Sequence, residues 1–262
     1  MPGPAADGLQ KRRLTGEILL EIVVVAVCLA AGGVLKGATG AGAPILAVPA
    51  LAAFFDVRFA VVVMLVPNIT TNSWQALRFR EHLPDGRFMV PLIAGGMIGV
   101  ALGTFALKSL SSDTLSLSVA LAVLLYIALR LQRPHLQLQM GLARWLALPA
   151  GVAAGILQGA AGLSAPVSIT FLNALRMKRE AFIAAISAFF AAFTAVQIVA
   201  VAANGLIQPG DMLYSLSALV PVSLAMPVGA ALARRISAAA LDRMILAILA
   251  VIAAKLLFDA LS

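Results

Sequence analysis

Apolar residues fill most of this chain in long runs, and polar residues interrupt them at a few places. The long runs cover about residues 17–35, 59–79, 88–107, 114–131, 145–158, 180–203, 212–233 and 240–260. About 20 consecutive apolar residues suffice to cross a bilayer as a helix. The pattern therefore predicts an all-α integral membrane protein. Two runs end differently from the rest. The first stops at GVLKGATGAGAP (Gly33–Pro44), and a short apolar piece follows to Phe55. The other stops at GILQGAAGLSAP (Gly155–Pro166), and a short piece follows to about Ala174.

The two interruptions lie 122 positions apart, and at that offset seven of twelve residues are identical. Gln75 meets Gln197 at the same offset. A fixed-period recurrence of this kind is a statement about architecture. It predicts an N-terminal tail at 1–16, a first repeat at 17–132, a connection at 133–144 and a second repeat at 145–262. Each half holds a broken element followed by three long spans. If the broken element is a re-entrant hairpin, each half crosses three times and the second half is inverted, as in many secondary transporters. Loop charges favour that arrangement. It puts 12 Lys and Arg on one side and 6 on the other, with Lys36 set aside, against about 10 and 8 if each break crosses once. By the positive-inside tendency both termini are then outside, although Lys11, Arg12 and Arg13 fall on the less basic side. Those three residues precede an apolar run from Ile18 and resemble the start of a signal peptide. The second copy of the segment argues that the run is retained.

Composition agrees with the pattern. The chain of 262 residues is 62% hydrophobic and 11% charged, where a soluble domain has about 45–50% and about 25%. A single cysteine, Cys28, excludes an internal disulfide and a cysteine metal cluster. His82 and His135 fall in polar connections, so no cofactor or metal is expected. The net charge of +8 is accounted for by basic loops and does not point to nucleic acid.

Chemistry concentrates at the breaks. Irregular backbone at membrane depth is tolerated only when buried in protein or lining a wet cavity. Gly37, Gly40 and Gly42 can take backbone angles closed to other residues, and Pro44 and Pro166 suit a first helical turn. Each break then reads as a helix end, a glycine turn and a new helix N-terminus, whose free amides attract anions. Two inverted halves would aim two such N-termini at one midplane site. Ser164 adds a hydroxyl, and Thr39 and Gly162 lie in the same loops. Lys36 is a charged residue inside a membrane segment, which marks a functional site by default; snorkelling to an interface is the competing reading. Its repeat mate is Gln158.

Asn68, Thr71, Asn72 and Gln75 recur at i, i+3, i+4 and i+7 within PNITTNSWQ and share one helix face. They line a cavity or bond to neighbouring helices. Thr194 and Gln197 are their counterparts in the second half, where Ser187, Phe190 and Phe193 make the surroundings less polar. Close packing alone explains the glycines of GGMIGVALG, Gly95–Gly103. Glu17 and Glu21 are expected at an interface, so no coupling ion can be read.

GATGAGAPILAVPAL resembles the glycine-rich signature of the TauE/SafE family of sulfite and organosulfonate transporters, also called the toluene sulfonate uptake permease family. Gly37, Gly40, Gly42 and Pro49 match it, and Ala60 fits. Ala43 stands where a further glycine is frequent, and Phe171 stands where Pro49 would map. The resemblance implies a carrier for a small sulfur-containing anion such as sulfite, sulfoacetate or another sulfonate, in the cytoplasmic membrane. The residues alone reach a small anion. Lys, Asn, Gln, Thr and backbone amides are donors suited to a sulfonate's three acceptor oxygens. The expected partners are that anion and the lipid bilayer, with monomer and homodimer both open. The rivals are a passive anion channel and a membrane phosphatase; the latter needs a buried nucleophile or metal with acid/base groups, which the breaks do not supply.

Overall fold

The computed structural model describes residues 23–132, 137–235 and 238–261. The expected tail at 1–16, together with Glu17, Glu21 and His135, lies outside the described residues. Those described form helices joined by short connections: α1 (Val23–Thr39), α2 (Ala43–Phe54), α3 (Val57–Val63), α4 (Leu65–Arg78), α5 (Gly86–Ser109), α6 (Ser112–Gln132), α7 (Met140–Ala161), α8 (Ala165–Ala174), α9 (Arg179–Ala203), α10 (Asp211–Leu232) and α11 (Ala238–Leu261). Five of them, α5, α6, α7, α9 and α10, are long and apolar enough to cross a membrane. The surface is inverted relative to a soluble protein. Val90, Phe105, Trp145, Leu224 and Phe258 are exposed, whereas Lys36, Asn68, Asn72, Gln75, Gln158 and Gln197 are buried. Large exposed apolar faces of this kind suit lipid. The chain is a multi-pass membrane protein.

Two sequence expectations need correction. Helix α1 does not stop at residue 35 but runs to Thr39. Lys36 therefore sits in its last turn, and Gly37 is helical there rather than in a special backbone conformation. The run at 59–79 is also not one unbroken helix. It divides at Met64 into α3 and α4. Pro67 is the physical cause, because it has no N–H for the carbonyl of Val63. Ser215 of α10 repairs the gap. Its hydroxyl donates to Val63 O at 2.9 Å and accepts from Val66 N at 3.0 Å. A neighbouring serine thus satisfies the backbone groups a proline frees.

Helix boundaries recur with the sequence. The end at Thr39 and the starts at Ala43 and Val57 reappear 122 positions later as Ala161, Ala165 and Arg179. Packing is reciprocal as well: α2 lies on α11 and α8 on α6. Helices α5 and α7 touch backbone to backbone. A Cβ on Gly99 would lie 2.2 Å from Val152 O, and one on Gly155 would lie 2.3 Å from Gly96 O. The packing role expected for Gly95–Gly103 is what the geometry has. α1 meets α10 in the same way, with Gly37 against Met226 O at 1.9 Å and Gly229 against Val34 O at 1.9 Å, measured from an added Cβ.

Charged and aromatic contacts tie the connections together at two ends. At one, Arg58 bonds Leu107 O at 3.0 Å and pairs with Asp56, while Phe59 contacts Phe55 and Tyr214. At the other, Arg144 pairs with Asp85 at 2.9 Å, and Phe79 and Arg179 line one cavity. Asp56 and Asp85 also start α3 and α5, accepting from the amides of Arg58 and Arg87, which is ordinary N-capping.

Candidate functional site

Both breaks are built by glycines in left-handed conformation. Gly40 has φ 82°, Gly42 φ 112° and Gly162 φ 65°. The pairing of the tips is reciprocal. Gly40 lies on Ile183 of α9, and Gly162 lies on Val61 of α3; these two pairs exchange under the 122-residue offset. Pro44 and Pro166 occupy the first turns of α2 and α8. Neither N-terminus carries a side-chain cap. The Ser164 hydroxyl lies 3.5 Å from that of Ser168 rather than on an amide, and Gly42 packs on Leu35 and Ile45 of its own hairpin.

Helices α4 and α9 pack face to face between the tips. Asn68, Thr71, Asn72 and Gln75 are all buried on α4, while Leu77 on the opposite face is exposed. Lys36 is fully buried and donates to Asn72 Oδ1 at 2.6 Å. Asn72 is held for this by donating to Asn68 O at 2.9 Å. No described carboxylate pairs with Lys36. The snorkelling reading fails, because the side chain reaches inward to α4. One turn along, Ser187 donates to Gln75 Oε1 at 3.2 Å. In the second half Gln158 and Gln197 bond each other, Nε2 to Oε1 at 3.2 Å and Gln197 Nε2 to Gln158 O at 3.0 Å.

With Gln75 opposite Ser187 on antiparallel helices, seven residues along each chain bring Asn68 level with Thr194. Asn68 Oδ1 and Thr194 Oγ1 are buried without a hydrogen-bond partner. Buried polar groups are ordinarily bonded, and each orphan costs about 1–3 kcal/mol. Aromatic packing closes the surroundings: Phe193 meets Phe189 at 4.9 Å and Phe190 at 5.0 Å between ring centres.

The expected site residues therefore fall into groups. Lys36 of α1 joins Asn72 of α4, Gln75 of α4 joins Ser187 of α9, and Gln158 of α7 joins Gln197 of α9, so each pair has a member on α4 or α9. Thr71 bonds the carbonyl of Pro67 at 2.6 Å. Thr39 bonds Leu35 O at 2.8 Å and also Ala41 O, closing its own helix end. No described hydrogen bond links the N-termini of α2 and α8 to each other or to Lys36. A cavity of about 690 Å³ between α1, α4, α9 and α10 is lined by Gly37, Gly40, Thr71 and Gln75, and not by Lys36 or Asn72. Sequence reasoning passed over Ser215, and the signal that finds it is the carbonyl Pro67 leaves unpaired.

The chain matches the family described as sulfite exporter TauE/SafE over residues 24–256. No curated protein and no solved structure matches it. A match across nearly the whole length, glycine breaks and polar interface included, means that the chain belongs to the TauE/SafE sulfite exporter family.

Proposed function

We propose that the protein is a secondary carrier for a small sulfur-containing anion in the cytoplasmic membrane, with Lys36 as the charge that receives it. The observation that carries this reading is a fully buried lysine whose bonded partner is a neutral amide. Burying an uncompensated charge is expensive, and an anion is the natural compensation. Lys36 has three N–H donors and gives one to Asn72. A sulfite or sulfonate oxygen takes the others. Thr194, Asn68 and Gln75 flank that position with further polar groups, and an arriving anion reaches them through the cavity beside Gly40.

The carrier consists of two inverted repeats, each a re-entrant hairpin plus three transmembrane spans. Neighbour relations support this. Val25 of α1 and Phe55 beyond α2 share a cavity with Tyr214, so the first hairpin starts and ends beside the Arg58 end. The second starts beside Asp85, at Arg144, and ends at Asn173 and Arg176 near Arg179. Hairpins inserted from opposite faces, each tip resting on the other half, suit a site exposed alternately to the two sides.

Purified protein in liposomes tests the function. Labelled sulfite, sulfoacetate, taurine, sulfate and a carboxylate are offered in turn. Saturable flux of a sulfur oxyanion, lost in Lys36→Met, is the expected result. Non-saturating flux with high unitary current overturns the carrier reading in favour of a channel.

A further inference from the structure

Apart from the Lys36 site, a second cavity of about 560 Å³ lies among the ends of α1, α6, α8 and α9. Three arginines from three places in the chain line it: Arg130 from the last turn of α6, Arg176 from the connection after α8, and Arg179 from the start of α9. Thr170 and Asn173 add neutral hydrogen-bonding groups, and among the described residues none lining it is acidic. The inner wall is apolar, with Leu35, Ile169 and Phe182 among its residues. Arg176 holds a left-handed backbone, φ 51°, as a non-glycine residue. That conformation costs about 1–2 kcal/mol.

We infer that this cavity is a second anion-binding site, separate from Lys36, which takes a tetrahedral oxyanion bearing an apolar group on Arg130, Arg176 and Arg179. Each guanidinium carries five N–H donors in a planar fork. A protein partner that takes one or two of them leaves the rest for a ligand. Three forks with hydroxyl and amide donors match the several acceptor oxygens of a sulfonate or phosphate. The apolar wall accommodates a hydrocarbon substituent. Two sources share this chemistry, a soluble organosulfonate and the phosphate of an anionic lipid.

The site has a mechanical link to the first break. Arg179 lines this cavity and also the one reaching Gln75, and its Nη2 donates to Ala38 O at 3.1 Å. Ala38 is two residues from Lys36, in the last turn of α1. An oxyanion on Arg179 therefore bears on the helix end that positions Lys36. Occupancy is read without transport, so the inference stands or falls apart from the role of Lys36.

The test is thermal unfolding in nanodiscs of neutral lipid, with methanesulfonate as the soluble probe and phosphatidylglycerol as the lipid probe. A ligand that binds the folded state alone raises the melting temperature. The expected result is a rise of several degrees with one probe. In the Lys36→Met background, where the first site is disabled, it persists, is lost on adding Arg176→Gln/Arg179→Gln, and is partly restored with Arg176→Lys/Arg179→Lys instead. Stabilisation by methanesulfonate assigns a soluble anion, and stabilisation by phosphatidylglycerol alone assigns a lipid headgroup. No rise with either probe, or a rise that survives the double glutamine variant, overturns the proposal. If the glutamine variant does not fold, equilibrium dialysis of labelled methanesulfonate against wild type and the lysine variant decides. Undetectable binding to wild type, together with no rise with phosphatidylglycerol, overturns it.

Discussion

Lys36 Nζ lies 2.6 Å from Asn72 Oδ1 and joins the last turn of α1 to the buried face of α4. The bond spans 36 residues of sequence and ties the helix before the first break to the polar stripe. Replacing the lysine separates function from stability. Lys36→Met removes a charge-assisted donor, worth about 1.5–3 kcal/mol to a bound anion. Anion affinity should fall by about tenfold or more. Stability should hold or rise, because burying the ammonium costs several kcal/mol and the orphaned Asn72 oxygen costs about 1–3 kcal/mol. Binding isotherms and melting curves on one preparation check both. Unchanged affinity removes Lys36 from the site.

Ser215→Ala should lower stability by about 1–3 kcal/mol, since Val63 O and Val66 N both lose their partner. Pro67→Ala supplies an N–H to Val63 O, so Ser215→Ala should cost less in that background. A double-mutant cycle of melting temperatures measures the coupling. Additive costs would mean that the serine does not compensate the proline.

The two break glycines should respond unequally to alanine. A Cβ at Gly40 would lie 2.4 Å from Ile183 Cγ1, and one at Gly162 would lie 2.9 Å from Val61 Cγ2. Both also need a left-handed backbone, which costs alanine about 1–2 kcal/mol. Gly40→Ala is expected to be the more damaging. Ile183→Ala should rescue the steric part of it and leave the backbone part, as read from melting temperature.

Gly155→Val should separate α5 from α7 and abolish folded protein, because the Cβ position falls 2.3 Å from Gly96 O. Gly141→Ala meets nothing within 4 Å and should be neutral or slightly stabilising, as alanine favours helix over glycine by about 1 kcal/mol. Yield of monodisperse protein in detergent distinguishes them.

Accessibility labelling tests the arrangement of the halves. Single cysteines, in a background with Cys28 replaced, at Arg80 and at Lys178 should react with a membrane-impermeant maleimide from one side. A cysteine at Lys108 should react from the other. Opposite sides for Arg80 and Lys178 would sink the hairpin arrangement.

Much of this protein can be read from residue order, because lipid imposes a strict rule. A segment without water must satisfy its backbone internally, so long apolar runs become helices, and a glycine-proline interruption has to be a turn followed by a new helix. The 122-residue recurrence of such a turn, and the i, i+3, i+4, i+7 stripe from Asn68 to Gln75, are local or periodic features. What reading along the chain could not supply is which polar groups meet. That Lys36 reaches Asn72, that Ser187 faces Gln75 and Thr194 lies level with Asn68, and that Ser215 mends the gap at Pro67 depend on how helices distant in sequence pack. That packing is set by backbone approach at glycines such as Gly37, Gly99 and Gly155, whose partners are carbonyls on another helix. Periodicity names the face a helix buries, and only the tertiary structure decides what that face is buried against.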